Sequence, residues 1–89
     1  MEIFTMEEFD EDYALLPKDI QRKTEKQEGI FKDNPFHPSL HTEKLYPKSR
    51  EVWSFRVDRN YRVLFRFLDK NRVLLIAIGP HDWIYKIKF

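Results

Sequence analysis

Three histidines, His37, His41 and His81, and a set of arginines, lysines and tyrosines in the second half of the chain are the side chains able to do chemistry. There is no cysteine, which removes disulfides, thiolate catalysis and cysteine zinc sites. No Walker loop, dinucleotide fingerprint, HExxH helix or nucleophile elbow is present, and 2 glycines leave little from which to build a phosphate-cradling loop. What remains is the inventory of a metal-independent ribonuclease. Cleaving RNA by its own 2′-hydroxyl needs a base for that proton, an acid for the leaving 5′-oxygen and cations for the charge gathering on phosphorus. Histidine suits the first two roles because its unperturbed pKa is about 6.5. Arginine suits the third because its planar fork offers donors to two phosphate oxygens at once.

Each candidate has a plainer reading beside the chemical one. His81 follows Gly79-Pro80 at the end of an apolar run, where a side chain emerges at a sheet rim; a lone loop histidine is as readily bonded to backbone. His37, between Phe36 and Pro38, reads as structural, and His41 precedes the segment leading to Lys44. The spacing 37, 41, 81 fits no standard metal signature, so neither a metal nor any other cofactor is expected. Tyr85 can bond phosphate or stack on a base, or be part of the core. Lys86 and Lys88 are phosphate contacts or solubilising charges. Asp82 orients His81 or caps a turn.

The elements that must position these groups centre on residues 52 to 68, which read as two strands joined at Asp58-Arg59-Asn60, from period-2 alternation of aromatic and β-branched residues. A three-residue turn with Asn60 in the left-handed conformation pairs Val57 with Tyr61. Trp53, Phe55, Val57, Tyr61, Val63, Phe65 and Phe67 then share one face; Ser54, Arg56, Arg62, Leu64 and Arg66 share the other. A slip of one residue would put arginines in the core, so this register is strongly favoured. The expected sheet has an aromatic underside and an arginine-bearing top. Like charges on adjacent strands repel, and a polyanionic partner would relieve them.

Around that hairpin the pattern predicts an edge strand at Glu2 to Phe4 and a capping box at Thr5 to Glu8 starting a helix at Met6. A helical hairpin over 6–16 and 17–33 bends at Leu16-Pro17. Ile20, Thr24, Gln27 and Phe31 form the inner stripe of a second helix that is otherwise polar and expected over the sheet edge. Asn34-Pro35 ends it. Glu43 to Tyr46 reads as a short strand, and Val73 to Ile78 as a central strand buried on both sides, stopped by Gly79-Pro80. The tail from His81 allows a terminal strand or a helical turn.

Eighty-nine residues predict a single domain spanning 1–89. Residues 1–43 carry 5 Lys and Arg against 11 Asp and Glu, whereas residues 44–89 carry 11 against 4. That asymmetry predicts a basic working face and an acidic back, although the net charge is only +1. No apolar run reaches the roughly 18 residues of a membrane span, so a cytoplasmic protein without membrane contact is expected.

Taken together, Leu16-Pro17, His37-Pro38-Ser39-Leu40, Lys44-Leu45, Trp53, Arg56-Val57, Tyr61-Arg62-Val63-Leu64-Phe65 and Ile78-Gly79-Pro80-His81 through Tyr85 resemble the RelE/ParE superfamily of bacterial type II toxins. The resemblance covers about residues 2 to 85. It implies an α+β, microbial RNase-like fold, a helical hairpin on a curved antiparallel sheet of about 4–5 strands. It also implies a cognate antitoxin as partner and, for the RelE-like branch, cleavage of mRNA on the ribosome; the ParE-like branch inhibits DNA gyrase without cleavage. By position, Arg62 matches the family's phosphate-binding arginine, His81 lies where the family places an arginine or histidine, and Tyr85 lies near its C-terminal tyrosine. Those three are the expected catalytic residues, with Lys44, Arg56, Arg66 and Lys86 as supporting contacts to RNA phosphate. A toxin homologue without activity is the alternative.

Overall fold

The computed structural model describes residues 1–84 and residue 86. Strand β1 (Glu2–Thr5) leads into helices α1 (Glu7–Ala14) and α2 (Lys18–Asp33); then come β2 (Glu43–Lys44), β3 (Trp53–Arg56), β4 (Tyr61–Asp69), β5 (Arg72–Pro80) and the short helix α3 (His81–Ile84). Among the described residues the strands form one sheet in the order β1-β5-β4-β3-β2. The sheet is mixed and not wholly antiparallel: β1 runs parallel to β5, pairing Glu2 with Arg72 through Thr5 with Leu75. β1 therefore takes the β5 edge of the sheet, while the chain after the helices returns to build its other edge at β2.

The central hairpin takes the expected register. Phe55 pairs with Val63 and Arg56 with Arg62, and the Val57 N–H donates to the Tyr61 carbonyl at 3.0 Å. The turn is not closed by a left-handed Asn60; the non-glycine residues with positive φ among those described are His41 and Glu51. Instead the Asp58 carboxylate accepts from the N–H groups of Asn60 (2.8 Å) and Tyr61 (2.9 Å), an Asx-type closure that needs no special backbone conformation.

The aromatic face carries the main core. Phe31 of α2 stacks on Phe55 with ring centroids 4.7 Å apart and meets Phe65 edge-on at 4.8 Å, so α2 lies on the face of the sheet and not over its edge. Its inner stripe is buried along its whole length. The two polar members are satisfied there: Thr24 Oγ1 donates to the Ile20 carbonyl at 2.8 Å, and Gln27 Nε2 donates to the carbonyls of Arg56 (2.9 Å) and Ser39 (3.3 Å). Helix α1 begins at Glu7 without the expected capping box, because Thr5 belongs to β1 and the Met6 N–H is already held by the Leu75 carbonyl at 2.9 Å.

The other face is not simply polar. A second, smaller core of Val52, Leu64, Ile76, Ala77 and Ile84 sits on it. A β-bulge makes this possible: Leu64 pairs with Ala77 but Phe65 with Leu75, so Ile76 is extra and joins Ala77 on the same side. β5 runs two residues past the expected stop, through Gly79 and Pro80, before α3 folds Ile84 over the sheet. The tail thus continues as a helical turn over His81–Ile84, and Tyr85 falls outside the described residues.

Candidate functional site

The end of β5 and the β3–β4 turn are tied together by the His81 N–H, which donates to the Asn60 carbonyl at 2.7 Å. Across the strands Arg62 faces Gly79 on one side and Arg56 on the other. Residues 56, 62 and 81, far apart in sequence, therefore converge at one corner of the sheet. An open cleft of about 390 Å³ forms there, lined by Arg56, Arg59, Asn60, Arg62, Pro80, His81 and Asp82.

Arg62 is buried, 8% exposed. Its Nη1 donates to the carbonyls of Asp58 (2.7 Å), Tyr61 (3.0 Å) and Arg59 (3.3 Å). Arg56, half-buried beside it, has an Nε buried without a hydrogen-bond partner among the described residues. Arg59 projects from the turn itself and is exposed. Among the described residues no ion pair neutralises any of the three. The His81 side chain is 47% exposed, and its Nδ1 lies 3.4 Å from Oδ1 of the exposed Asp82. The cleft thus pairs a group able to transfer protons with three guanidinium groups, which together suit a phosphodiester.

Asp58 is the acid that shapes the turn. Burial works against its charge, yet bonds from the Asn60 and Tyr61 backbone and from Lys23 Nζ at 3.3 Å hold its carboxyl below the ordinary value of 3.8. It remains an anion directed at the turn backbone, away from the role of neutralising Arg62.

Of the expected site residues, Arg56, Arg62 and His81 meet in this cleft. Arg66 shares the strand face of Arg62 but lies two pleats further along β4, exposed and outside the cleft lining. Lys44 is on the opposite face: it pairs with Trp53, and its Nζ sits 5.8 Å from that ring's centroid. Lys86 is exposed beyond α3, its N–H donating to the Trp83 carbonyl at 3.0 Å. Tyr85 falls outside the described residues. The cleft is completed by Arg59, Asn60, Pro80 and Asp82, of which Arg59 and Asp82 carry charge. Arg59 reads from sequence as a turn residue; its position between two arginine-bearing strands is the signal for a place in the site. Asp82 reads from sequence as an orienting or capping acid, and the structure sets it in the cleft wall.

This arrangement of a sheet carrying a helical hairpin recurs in known structures. The YoeB/ParE toxin from Agrobacterium tumefaciens superposes with a TM-score of 0.76 at 20% identity over 91% of this chain and 99% of that one. The chain has the RelE/ParE toxin fold. YafQ from E. coli strain BL21(DE3) matches with a TM-score of 0.76 at 14% identity, covering 94% of this chain and 97% of YafQ. The archaeal RelE in its complex with RelB from Pyrococcus horikoshii OT3 gives 0.72 at 17% identity over 92% and 96%. No protein-family model and no curated sequence matches the chain, so the RelE/ParE likeness is one of architecture. Among the described residues no helix is long and apolar enough to cross a membrane.

Proposed function

We propose that this chain is the toxin of a type II toxin–antitoxin pair and acts as a ribosome-dependent endoribonuclease on mRNA, through 2′-hydroxyl attack. The observation that carries the reading is the convergence of His81 with Arg56, Arg59 and Arg62 on one open cleft. His81 transfers the proton, as base to the 2′-hydroxyl or as acid to the leaving 5′-oxygen. The guanidinium groups hold the phosphate and stabilise the charge that develops on it. Tyr85 is the expected further contact to phosphate, while the exposed Arg66 and Lys86 contact RNA backbone outside the cleft. The reaction needs no cofactor.

A cognate antitoxin is the expected protein partner, in keeping with the RelE–RelB complex among the structural neighbours. The protein works in the cytoplasm as one domain. A non-catalytic RelE/ParE-like protein acting on DNA gyrase is the rival reading, favoured by the net charge of only +1, since affinity for a polyanion grows with the phosphates neutralised.

Induced expression in bacteria with pulse-labelling separates them. The ribonuclease reading expects amino-acid incorporation to stop while DNA synthesis continues, and the effect to vanish in His81→Gln. Early arrest of DNA synthesis, unchanged in that variant, would support the gyrase reading.

A further inference from the structure

We propose that the loop between β2 and β3 is a separate contact for single-stranded RNA, in which Tyr46 stacks on an unpaired base while Lys48 and Arg50 hold the phosphates beside it. The proposal deepens the ribonuclease reading and rests on it for the class of substrate.

Residues 44–50, Lys-Leu-Tyr-Pro-Lys-Ser-Arg, hold three cations and no acid, with Glu43 and Glu51 flanking them. Leu45 is the inward member: it packs against the second core, and its N–H donates to the Val52 carbonyl at 2.8 Å. Tyr46 is left 91% exposed, more than any other large apolar side chain among the described residues, and neither its ring nor its hydroxyl has a partner there. Lys48 and Arg50 are exposed as well, and among the described residues no ion pair neutralises them. A lone exposed apolar residue needs no explanation. An exposed ring set among unpaired cations has the composition that binds single strands, a π-face for the base and charge for the backbone. Bases within a duplex already stack on one another, so such a ring selects unpaired ones.

The loop holds these groups in place before any RNA arrives. The bond from Leu45 to Val52 closes its base, and Lys48–Arg50 form one tight helical turn, with the N–H groups of Arg50 and Glu51 donating to the carbonyls of Pro47 and Lys48, each at 3.1 Å. Little ordering is then left to oppose binding. The loop also lies in reach of the strand that leads to the cleft. The pairing of Trp53 with Phe65 brings Arg66 beside Val52, at the foot of the loop. Arg66 is exposed on the cleft face of β4, four residues or about 13 Å along the strand from Arg62. A strand of RNA running from the cleft along β4 would arrive at Tyr46.

The test measures binding of a ten-residue oligo(dU), uncleavable because it lacks 2′-hydroxyls, as a function of salt. Tyr46→Ala should weaken binding about 5- to 150-fold, the worth of one stacked base, and leave the salt slope unchanged. Tyr46→Phe should restore it. Lys48→Ala and Arg50→Ala should each lower the slope by about 0.7, the loss of one phosphate contact on a single strand. An abasic strand of equal length should bind wild type and Tyr46→Ala alike. No binding of oligo(dU) by wild type, equal affinity in Tyr46→Ala, or an unmoved slope in the two cation variants would overturn the proposal. Because these side chains are exposed, the variants are expected to fold. Repeating the comparison with 70S ribosomes free of mRNA identifies the source of the base. A loss in Tyr46→Ala there assigns it to ribosomal RNA, and an unchanged affinity assigns it to mRNA. If the loop variants lose oligo(dU) while wild type cuts no mRNA on the ribosome, the loop assignment stands and the ribonuclease reading falls.

Discussion

Arg56 and Arg62 face each other as cross-strand partners on β3 and β4, two cations on one sheet face with no acid between them among the described residues. Such a pair repels in the free protein, and an anion in the cleft turns the repulsion into attraction. Inorganic phosphate should therefore raise the unfolding midpoint more than chloride at equal ionic strength. At ten times its dissociation constant the stabilisation is about 1.4 kcal/mol. Calorimetry of wild type and Arg56→Ala checks it, the variant being expected to respond to the two salts alike.

Asp58 closes the turn that carries Arg59, accepting two backbone N–H bonds and one from Lys23. Asp58→Ala should cost about 1–2 kcal/mol in urea unfolding, as loss of a capping side chain does. Its folded carboxyl lies below the ordinary value of 3.8, so its contribution is fully present above that pH and fades as pH falls through the lowered folded value. Asp58→Asn should accordingly flatten the acid limb of the stability curve below about pH 4. An unchanged limb would assign acid sensitivity to other groups.

Gln27 bonds α2 to the strand behind the cleft through the Arg56 carbonyl and reaches the Ser39 carbonyl as well. Gln27→Leu fills the space but strands two acceptors, so it should destabilise by about 1–3 kcal/mol despite adding apolar surface. Equilibrium unfolding measures this; a stabilised variant would show that water satisfies those carbonyls.

Gly79 has no freedom for a side chain. A Cβ there would lie 2.1 Å from Trp83 Cε3, and Trp83 stands on the same four-residue helix as His81. Gly79→Ala should push the indole away, shift its fluorescence and tilt α3, costing about 1–3 kcal/mol by overpacking. Gly79→Ala/Trp83→Ala should recover most of that loss. No recovery would locate the strain in the strand backbone.

The sequence made the hairpin register legible because one slip would have buried arginine among Phe55, Val63 and Phe65. The Ile20–Phe31 stripe was legible from spacing even though Thr24 and Gln27 are polar. What closes the turn was not, since Asp58 and Asn60 are both competent turn residues and only geometry selects the carboxylate. The parallel pairing of β1 with β5 was hidden for a related reason: Glu2–Thr5 is too short to carry a directional pattern. The second core depended on the bulge at Ile76, which periodicity alone does not reveal. In the cleft, residue type identified His81, Arg56 and Arg62, but not that Nη1 of Arg62 is committed to the turn carbonyls or that Arg59 stands in the wall. Lys44 joined the arginines only by what the resemblance implies, and strand alternation sets it on the other face beside Trp53.

Cleavage of mRNA on the ribosome, the activity proposed for the cleft, leaves ends that can be mapped. Primer extension on a defined mRNA with 70S ribosomes tests it most directly, comparing wild type, His81→Gln and reactions without ribosomes. Wild type is expected to make discrete cuts that require ribosomes and fall by about 10²–10⁴-fold in His81→Gln, the usual worth of a positioned acid or base. A folded wild-type protein that leaves the mRNA intact on the ribosome, or cuts that persist undiminished in His81→Gln, would contradict it.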